Sequence, residues 1–424
     1  MTRRPPPSPL VAHFGLDPAI TFLNHGSFGA CPARVLDAQR RHRDLMEREP
    51  VLFFMKTAFE LMDRSREAVA GLIGGAPEDF VFINNATIAV ATIFENLAAG
   101  IGLDGGRPLG PGDEILVTNL EYPACLANAH RTAERTGARV RSVDVPRLEG
   151  TMTPERFIGL LLAGVTDRTR VCLLSHILSP TGWLLPAAEI IRTLEQRGIT
   201  TILDGAHGPG CVPIDLNDIR PAFYTTNAHK WLCAPKGSAV LYIRPDLQDR
   251  FRPQTLSVYH AAPDRALDRS RYNRDFDYVG TDDVSAKLAI ADAIRLVPEA
   301  VGMPWRDIIA HNHALAIEGR DLLQDRLGAP PCATDDMVGP MAMIALPEMP
   351  ARHRDRLEAR PKVFMDALQD ALWYNHSVQV PVYPMGQGRR YIRISAQVYN
   401  TIDQYAYLAG ALLDELEREA QVSP

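Results

Sequence analysis

Between residues 81 and 243 short apolar runs alternate with amphipathic stretches, and few folds accept that pattern. Segments 81–84, 114–118, 139–143, 171–175, 201–204, 222–227 and 238–243 read as strands. Each is a short run with apolar and β-branched residues, suited to a pleated, buried surface. Helical periodicity fills most of the gaps, at 87–99, 123–136, 154–163 and 186–197. Strands that are apolar along their whole length are covered on both faces. The pattern therefore predicts an α/β fold around a mainly parallel seven-stranded sheet. No full helix separates the last two strands, which leaves room there for an antiparallel member.

The flanks read differently. A proline-rich start leads into Phe22-Leu23-Asn24-His25-Gly26-Ser27-Phe28-Gly29, a Gly-punctuated turn, and Pro32 opens a helix carrying Val35, Leu36, Leu45 and Met46. From 248 to 283 the periodicity fades into a polar stretch dotted with Tyr259, His260, Tyr272 and Tyr278. Helices at 284–297 and 305–327, a strand at 341–346, a further helix, a strand at 391–395 and a terminal helix at 403–419 complete a smaller α+β unit. The expected division is an N-terminal arm with an active-site turn (1–35), a large domain (36–283) and a small C-terminal domain (284–424).

Charge and cysteine content narrow the class. With a net charge of −6 the chain is a poor match for nucleic acid, which calls for a basic face. The run Arg352, Arg354, Asp355, Arg356 mixes signs and reads as a solvated helix face. The six cysteines (Cys31, Cys125, Cys172, Cys211, Cys233, Cys332) show no close pairing for zinc or redox work, so no metal is expected and free thiols in a reducing cytoplasm are. Arg3-Arg4 runs into Pro5-Pro6-Pro7 with no apolar region behind it, and no apolar stretch is long enough to span a bilayer. A soluble cytoplasmic protein is expected.

The sharpest chemical signal is Asp204-Gly205-Ala206-His207 at the end of one strand, followed by Asn227-Ala228-His229-Lys230-Trp231 at the end of the next. In an open parallel sheet, ligands bind beyond the carboxyl ends of the strands, so Asp204, His207 and Lys230 should converge on one crevice. A carboxylate set against a pyridinium nitrogen, with a lysine that bonds an aldehyde and then moves protons, is what pyridoxal 5′-phosphate chemistry needs. Taken singly, Lys230 reads as a surface lysine and Asp204 as a turn residue. The pair in this strand order favours the cofactor.

These segments, with Leu23-Asn24-His25-Gly26-Ser27, Asn84-Asn85-Ala86-Thr87, Glu121-Tyr122, Ser175-His176, Ala234-Pro235-Lys236-Gly237, Gly280-Thr281-Asp282-Asp283 and Arg393-Ile394-Ser395, make the chain resemble the class V aminotransferases of fold-type I. Within that family it is most similar to the isopenicillin N epimerase-like branch. The resemblance spans nearly the whole chain and implies roles for its residues. Lys230 would be catalytic. Asn85, Ala86 and Thr87 at a helix start would hold the cofactor phosphate, with Asn227 and His229 reaching it too. Tyr122 would cover the pyridine face, Asp204 would meet its nitrogen, and His176 and His207 would lie near its O3′. Gly280 and Thr281 would reach the phosphate of a neighbouring subunit, implying a homodimer with active sites at the interface. Arg393 would bind the substrate carboxylate, as a planar bidentate donor suits, with Asn24 and His25 bordering the substrate.

Taken alone, Thr87 also reads as a helix cap, Tyr122 as packing, His176 as a satisfied core histidine and Arg393 as a surface strand arginine. Cys332 has no glycine- or histidine-rich surround to mark a sulfur-accepting loop, so it reads as an ordinary buried thiol. The branch includes C–S lyases acting on cysteine S-conjugates in secondary metabolism, such as ergothioneine and lincosamide assembly. That β-elimination chemistry is the leading expectation, and amino-acid epimerisation as in antibiotic biosynthesis is its runner-up. Decarboxylating or oxidative deamination, transamination and a non-catalytic protein of this fold are further alternatives. The choice turns on a second proton carrier, for which His25, Tyr259, His260 and Tyr399 are candidates.

Overall fold

The computed structural model describes residues 4–261, 268–349 and 351–421; residues 1–3, with the first of the two N-terminal arginines, lie outside them. In chain order the strands are β1 (Thr21–Phe22), β2 (Phe80–Ile83), β3 (Glu114–Thr118), β4 (Arg139–Val143), β5 (Thr169–Ser175) and β6 (Thr200–Asp204). They continue with β7 (Phe223–Thr226), β8 (Ala239–Ile243), β9 (Met341–Ala345), β10 (Val378–Gln379), β11 (Val382–Gly386) and β12 (Arg389–Ser395).

Strands β2 to β8 form a seven-stranded sheet in the order β2-β8-β7-β6-β5-β3-β4. Only β8 is antiparallel to its neighbours, β2 and β7; the remaining pairs are parallel. The connections explain the difference. β3 returns to β4 through helix Pro123–Thr136, and β5 to β6 through helix Ala187–Glu195, each a crossover that restores direction. β7 instead turns back at once through residues 227–238, so β8 runs the other way. Lys230 therefore sits in a reversal at the carboxyl end of β7.

Side chains alternate across this sheet and give it two apolar faces. Leu116, Cys172, Leu174 and Leu203 belong to one core, whereas Ile115, Val117, Val171, Leu173 and Ile202 belong to the other. The β4 edge is guarded by exposed Arg139 and Arg141, which keep its open hydrogen-bonding groups from pairing with other chains.

A three-stranded antiparallel sheet, β11-β12-β9, packs against helices Trp305–Leu327 and Ile402–Gln421 through Ile344, Ile392, Ile394 and Leu408. β1 pairs in parallel with β10, which ties the N-terminal turn to the C-terminal part of the chain. The charged run around residue 354 forms the short helix Arg354–Glu358. Among the described residues no helix is long and apolar enough to cross a membrane.

Two helices add to those expected from the sequence pattern. One, Ala58–Ile73, packs against helix Ser285–Val301. The other, Arg271–Asp277, lies in the polar stretch and buries Asn273, Arg274, Asp275 and Asp277 together with Tyr272 and Phe276. Buried charge hides such a helix from any hydrophobic pattern. It is held by ion pairs: Arg66 donates to Asp277 and, at 2.6 Å, to Asp63, while Arg269 donates to Asp277 at 2.6 Å. Removing one partner from a buried pair strands the other's charge, at a cost of about 3–5 kcal/mol. Asp63 also accepts from both arginines and would keep them partly paired. Asp277→Ala is therefore expected to lower unfolding free energy by about 3 kcal/mol, the lower end of that range, read from the urea midpoint of the purified variant.

Candidate active site

Strands β2, β3, β5, β6 and β7 end on the same side of the sheet, and beyond their ends lies a cavity of about 270 Å³. Asn85, Ala86, Thr87, Tyr122, Asp204, His207, Asn227, His229, Lys230 and Arg393 line it, all positions singled out from sequence.

One end is a helix N-terminus. Asn85 caps helix Ala86–Ala98 by accepting from the Ile88 N–H at 2.9 Å, and Asn227 Oδ1 accepts from the Ala86 N–H at 2.9 Å. The Thr87 N–H and hydroxyl between them remain for an anion, where the helix dipole favours negative charge.

At the centre, Lys230 and Asp204 are buried. Lys230 Nζ lies 3.0 Å from His207 Nε2, while His207 Nδ1 accepts from the Trp231 indole N–H at 3.2 Å. An indole can only donate, so the ring proton of a neutral His207 sits on Nε2 and points at the lysine. Burial, then the Lys230 charge, hold the His207 pKa well below the usual range, so the ring is neutral. Towards that N–H the lysine accepts only in its free-amine form. Burial pulls its pKa down to about 8, against the opposing pull of Asp204.

Asp204 Oδ1 accepts from the Ala206 N–H at 3.0 Å, and Oδ2 accepts from the Cys125 thiol at 3.2 Å. Burial raises the Asp204 pKa above the ordinary carboxyl value. Behind it Glu121 is fully enclosed, accepting from Thr118 Oγ1 at 2.7 Å, Ser175 N at 2.8 Å and Ser175 Oγ at 2.6 Å; burial lifts its pKa to about 7.

At the other end stands Arg393. Its neighbours Ile392 and Ile394 face the small core, so alternation turns Arg393 to the opposite side. It is 1% exposed. Nη1 donates to the Ser179 carbonyl, and Nη2 donates at 3.2 Å to both Asn24 Oδ1 and Ser27 Oγ. Nε has no partner. Arg66 and Arg390, equally buried, are met by the carboxylates of Asp277 and Glu419. No carboxylate of the described residues meets Arg393, so this buried cation is left for an anion from outside the chain.

Other predicted positions fall elsewhere. His176 does not line the cavity, since Ser175 and Ile177 do and the side chain between them faces away; its Nδ1 is 3.4 Å from Tyr224 Oη. His25 is a strut rather than a wall, with Nδ1 2.7 Å from Tyr399 Oη and Nε2 3.1 Å from the Lys230 carbonyl. Gly29 permits this approach: at φ 70°, a Cβ there would lie 2.3 Å from the His229 carbonyl. Asn24 backs Arg393 from outside the cavity. Gly280 and Thr281 lie away from it, Thr281 Oγ1 meeting Tyr278 Oη at 3.0 Å. Of the candidate second proton carriers, His25 and Tyr399 pair with each other, His260 Nδ1 lies 3.0 Å from Asp275, and Tyr259 donates to Met55 at 3.2 Å. None lines the cavity.

Cys125, Ser179 and Tyr383 line it without having been singled out as site residues. Cys125 had a signal, since it lies in the first turn of the helix that Tyr122 precedes, next to the strand end. Ser179 and Tyr383 had none. The complete donor set fits pyridoxal 5′-phosphate: a helix N-terminus for phosphate, an acid for the ring nitrogen and a buried free amine for the aldehyde.

A family model described as aminotransferase class-V matches residues 31–407. The chain is 31% identical over 411 residues to isopenicillin N epimerase of Streptomyces clavuligerus, covering 94% of this chain and 95% of that protein. It is 29% identical over 410 residues to a putative L-cysteine desulfhydrase of Oryza sativa subsp. japonica, covering 92% and 82%. A cysteine desulfurase structure from Escherichia coli shares the fold, with a TM-score of 0.73 at 20% identity over 96% of this chain and 97% of that one.

Proposed function

The chain belongs to the aminotransferase class-V family and is a pyridoxal 5′-phosphate enzyme, and on that premise we propose that it is a C–S lyase for cysteine S-conjugates. The observation that carries this reading is that Lys230 faces the cavity while His25, Tyr259, His260 and Tyr399 do not, which leaves an epimerase Tyr383, at the Arg393 end, as a further hydroxyl. One base suffices for elimination. A two-base epimerase needs a second group on the opposite face of Cα.

When bound, pyridoxal 5′-phosphate supplies an aldehyde that bonds amines and a ring that draws electrons from Cα. Thr87, Asn227 and His229 would hold its phosphate, Asp204 its ring nitrogen and Tyr122 its open face. Arg393 grips the substrate carboxylate and so fixes Cα near the lysine. Lys230 takes the Cα proton, the Cβ–S bond breaks, and the lysine returns the proton to the departing sulfur. Overall a cysteine S-conjugate and water become a thiol, pyruvate and ammonium. We further propose a homodimer in which Gly280 and Thr281 serve the neighbouring subunit's phosphate site. A cytoplasmic setting suits the six free cysteines.

Incubation with cysteine S-conjugates in D₂O, followed by mass spectrometry and chiral chromatography, tests the reading. Thiol and pyruvate are expected. Deuterium at Cα with inverted configuration and an intact side chain would replace the lyase by an epimerase. The lysine also sets a pH dependence. Burial lowers its pKa to about 8, so the reactive free amine dominates above that pH and is lost below it. Cofactor uptake by apo-protein, followed by visible absorbance, should quicken as pH rises and level off above about 8.

A further inference from the structure

A second cavity, of about 160 Å³, shares the Phe28 side chain with the first. Phe22, Phe28, Phe364, Trp373, Val378 and Val380 make up its apolar wall. We infer that it is the subsite for the side-chain end of the substrate, and that it takes an uncharged group the size of an aromatic ring. The identity of the atom cleaved rests on the C–S lyase reading; the preference for a ring does not.

Phe28 borders both cavities, and Asn24 ties the second to the carboxylate grip. Asn24 accepts from Arg393 Nη2 at 3.2 Å and lines the second cavity, so the pocket begins on the far side of the residue that backs the carboxylate grip. Phe28 ends the helix His25–Phe28 and is 74% exposed, an apolar surface with little cover from the described chain. A substrate held by Arg393 would pass its side chain along this ring.

Size and polarity both select. An apolar cavity of about 150 Å³ in another protein takes up benzene, and this one is of that volume. Its polar lining side chains are Asn24, Gln369 and Gln379, and Gln369 Oε1 is already engaged by the Val382 N–H at 3.0 Å. A charged substituent would be desolvated with no countercharge in the lining. An aryl ring would meet Phe364 and Trp373, whose centroids are 6.0 Å apart at 58°.

The wall is built, not incidental. The Asp370 carboxylate accepts from the Val363 N–H at 2.6 Å and the Phe364 N–H at 3.0 Å, pinning the loop that carries Phe364 to the helix that carries Trp373. The floor comes from the β1–β10 pairing, which sets Phe22 opposite Gln379 between buried Val378 and Val380.

The test compares S-benzyl-, S-methyl- and S-carboxymethyl-L-cysteine with the cofactor-loaded protein. It measures kcat/KM for thiol release and, separately, dissociation constants from the change in cofactor absorbance. S-benzyl-L-cysteine should bind about tenfold or more tighter than the S-methyl compound, and the S-carboxymethyl compound more weakly than either. Phe364→Ala and Trp373→Ala should each bring the benzyl-to-methyl affinity ratio towards one. Phe364→Leu, which keeps an apolar wall, should retain part of it. Preferential benzyl binding that these variants abolish, with no thiol released from any compound, would uphold the subsite and overturn the lyase reading. Thiol release with equal benzyl and methyl affinities would uphold the lyase and overturn the subsite. A second copy of the chain filling the pocket would give that same equality, and so overturn the subsite too.

Discussion

Lys230→Ala is expected to lower turnover by about 10⁴-fold or more while leaving the fold intact. A positioned general base contributes about 10²–10⁴-fold on its own, and this lysine is also the amine that bonds the cofactor's aldehyde. Its surroundings offer no substitute. His207 Nε2, 3.0 Å away, carries its proton towards the lysine, and its pKa is held well below the usual range, first by burial. His229 also faces the cavity, but burial lowers its pKa to about 4, which makes it a weak base. The variant should be assayed for thiol and pyruvate, and borohydride-treated samples examined by peptide mass spectrometry. Wild-type protein should retain reduced cofactor on the peptide containing Lys230, and the variant should retain none. A variant keeping more than about one per cent of wild-type turnover would move the proton transfer to another residue.

Arg393→Ala carries the second large effect, a fall in kcat/KM of about 10²–10³-fold. A hydrogen bond to a charged group contributes about 1.5–3 kcal/mol, and a carboxylate held by a guanidinium gains two of them. Two at the lower end of that range make about 3–4 kcal/mol, and at about 1.4 kcal/mol per tenfold that is the quoted fall. The fold already holds this arginine in place through Ser179, Asn24 and Ser27, so little ordering remains when the substrate arrives. Arg393→Lys should recover only part of the loss, because an ammonium is a point charge rather than a fork. If the loss lies in KM with kcat unchanged, the arginine binds ground and transition states alike; if kcat falls too, it orients Cα for proton removal. Unchanged kinetics in the alanine variant would place the substrate carboxylate elsewhere.

Much of the cavity was legible because its residues sit at the ends of strands that announce themselves. Apolar runs close at Ile83, Thr118, Asp204 and Thr226, and the chemistry of Asn85, Tyr122, Asp204 and Lys230 lies on or just beyond those closures. Strand order in a parallel sheet then brings such ends together without further information. Arg393 could be assigned a face from Ile392 and Ile394 by the same period of two. His176 shows the limit of that reasoning. It also follows a strand end, yet the register of β5 turns Ser175 and Ile177 into the cavity and leaves His176 against Tyr224.

Sequence by itself determined the strand–helix alternation, the mainly parallel sheet, and the meeting of Asp204 with Lys230, since each follows from local periodicity and from which end of a strand a residue occupies. Tertiary structure alone decided that Cys125 donates to Asp204, that Trp231 turns the His207 proton towards Lys230, that His25 braces the lysine backbone, and that Phe22 and Trp373 meet in one pocket. These contacts join residues far apart in the chain, and their partners are chosen by side-chain direction, register and burial, which no local pattern encodes.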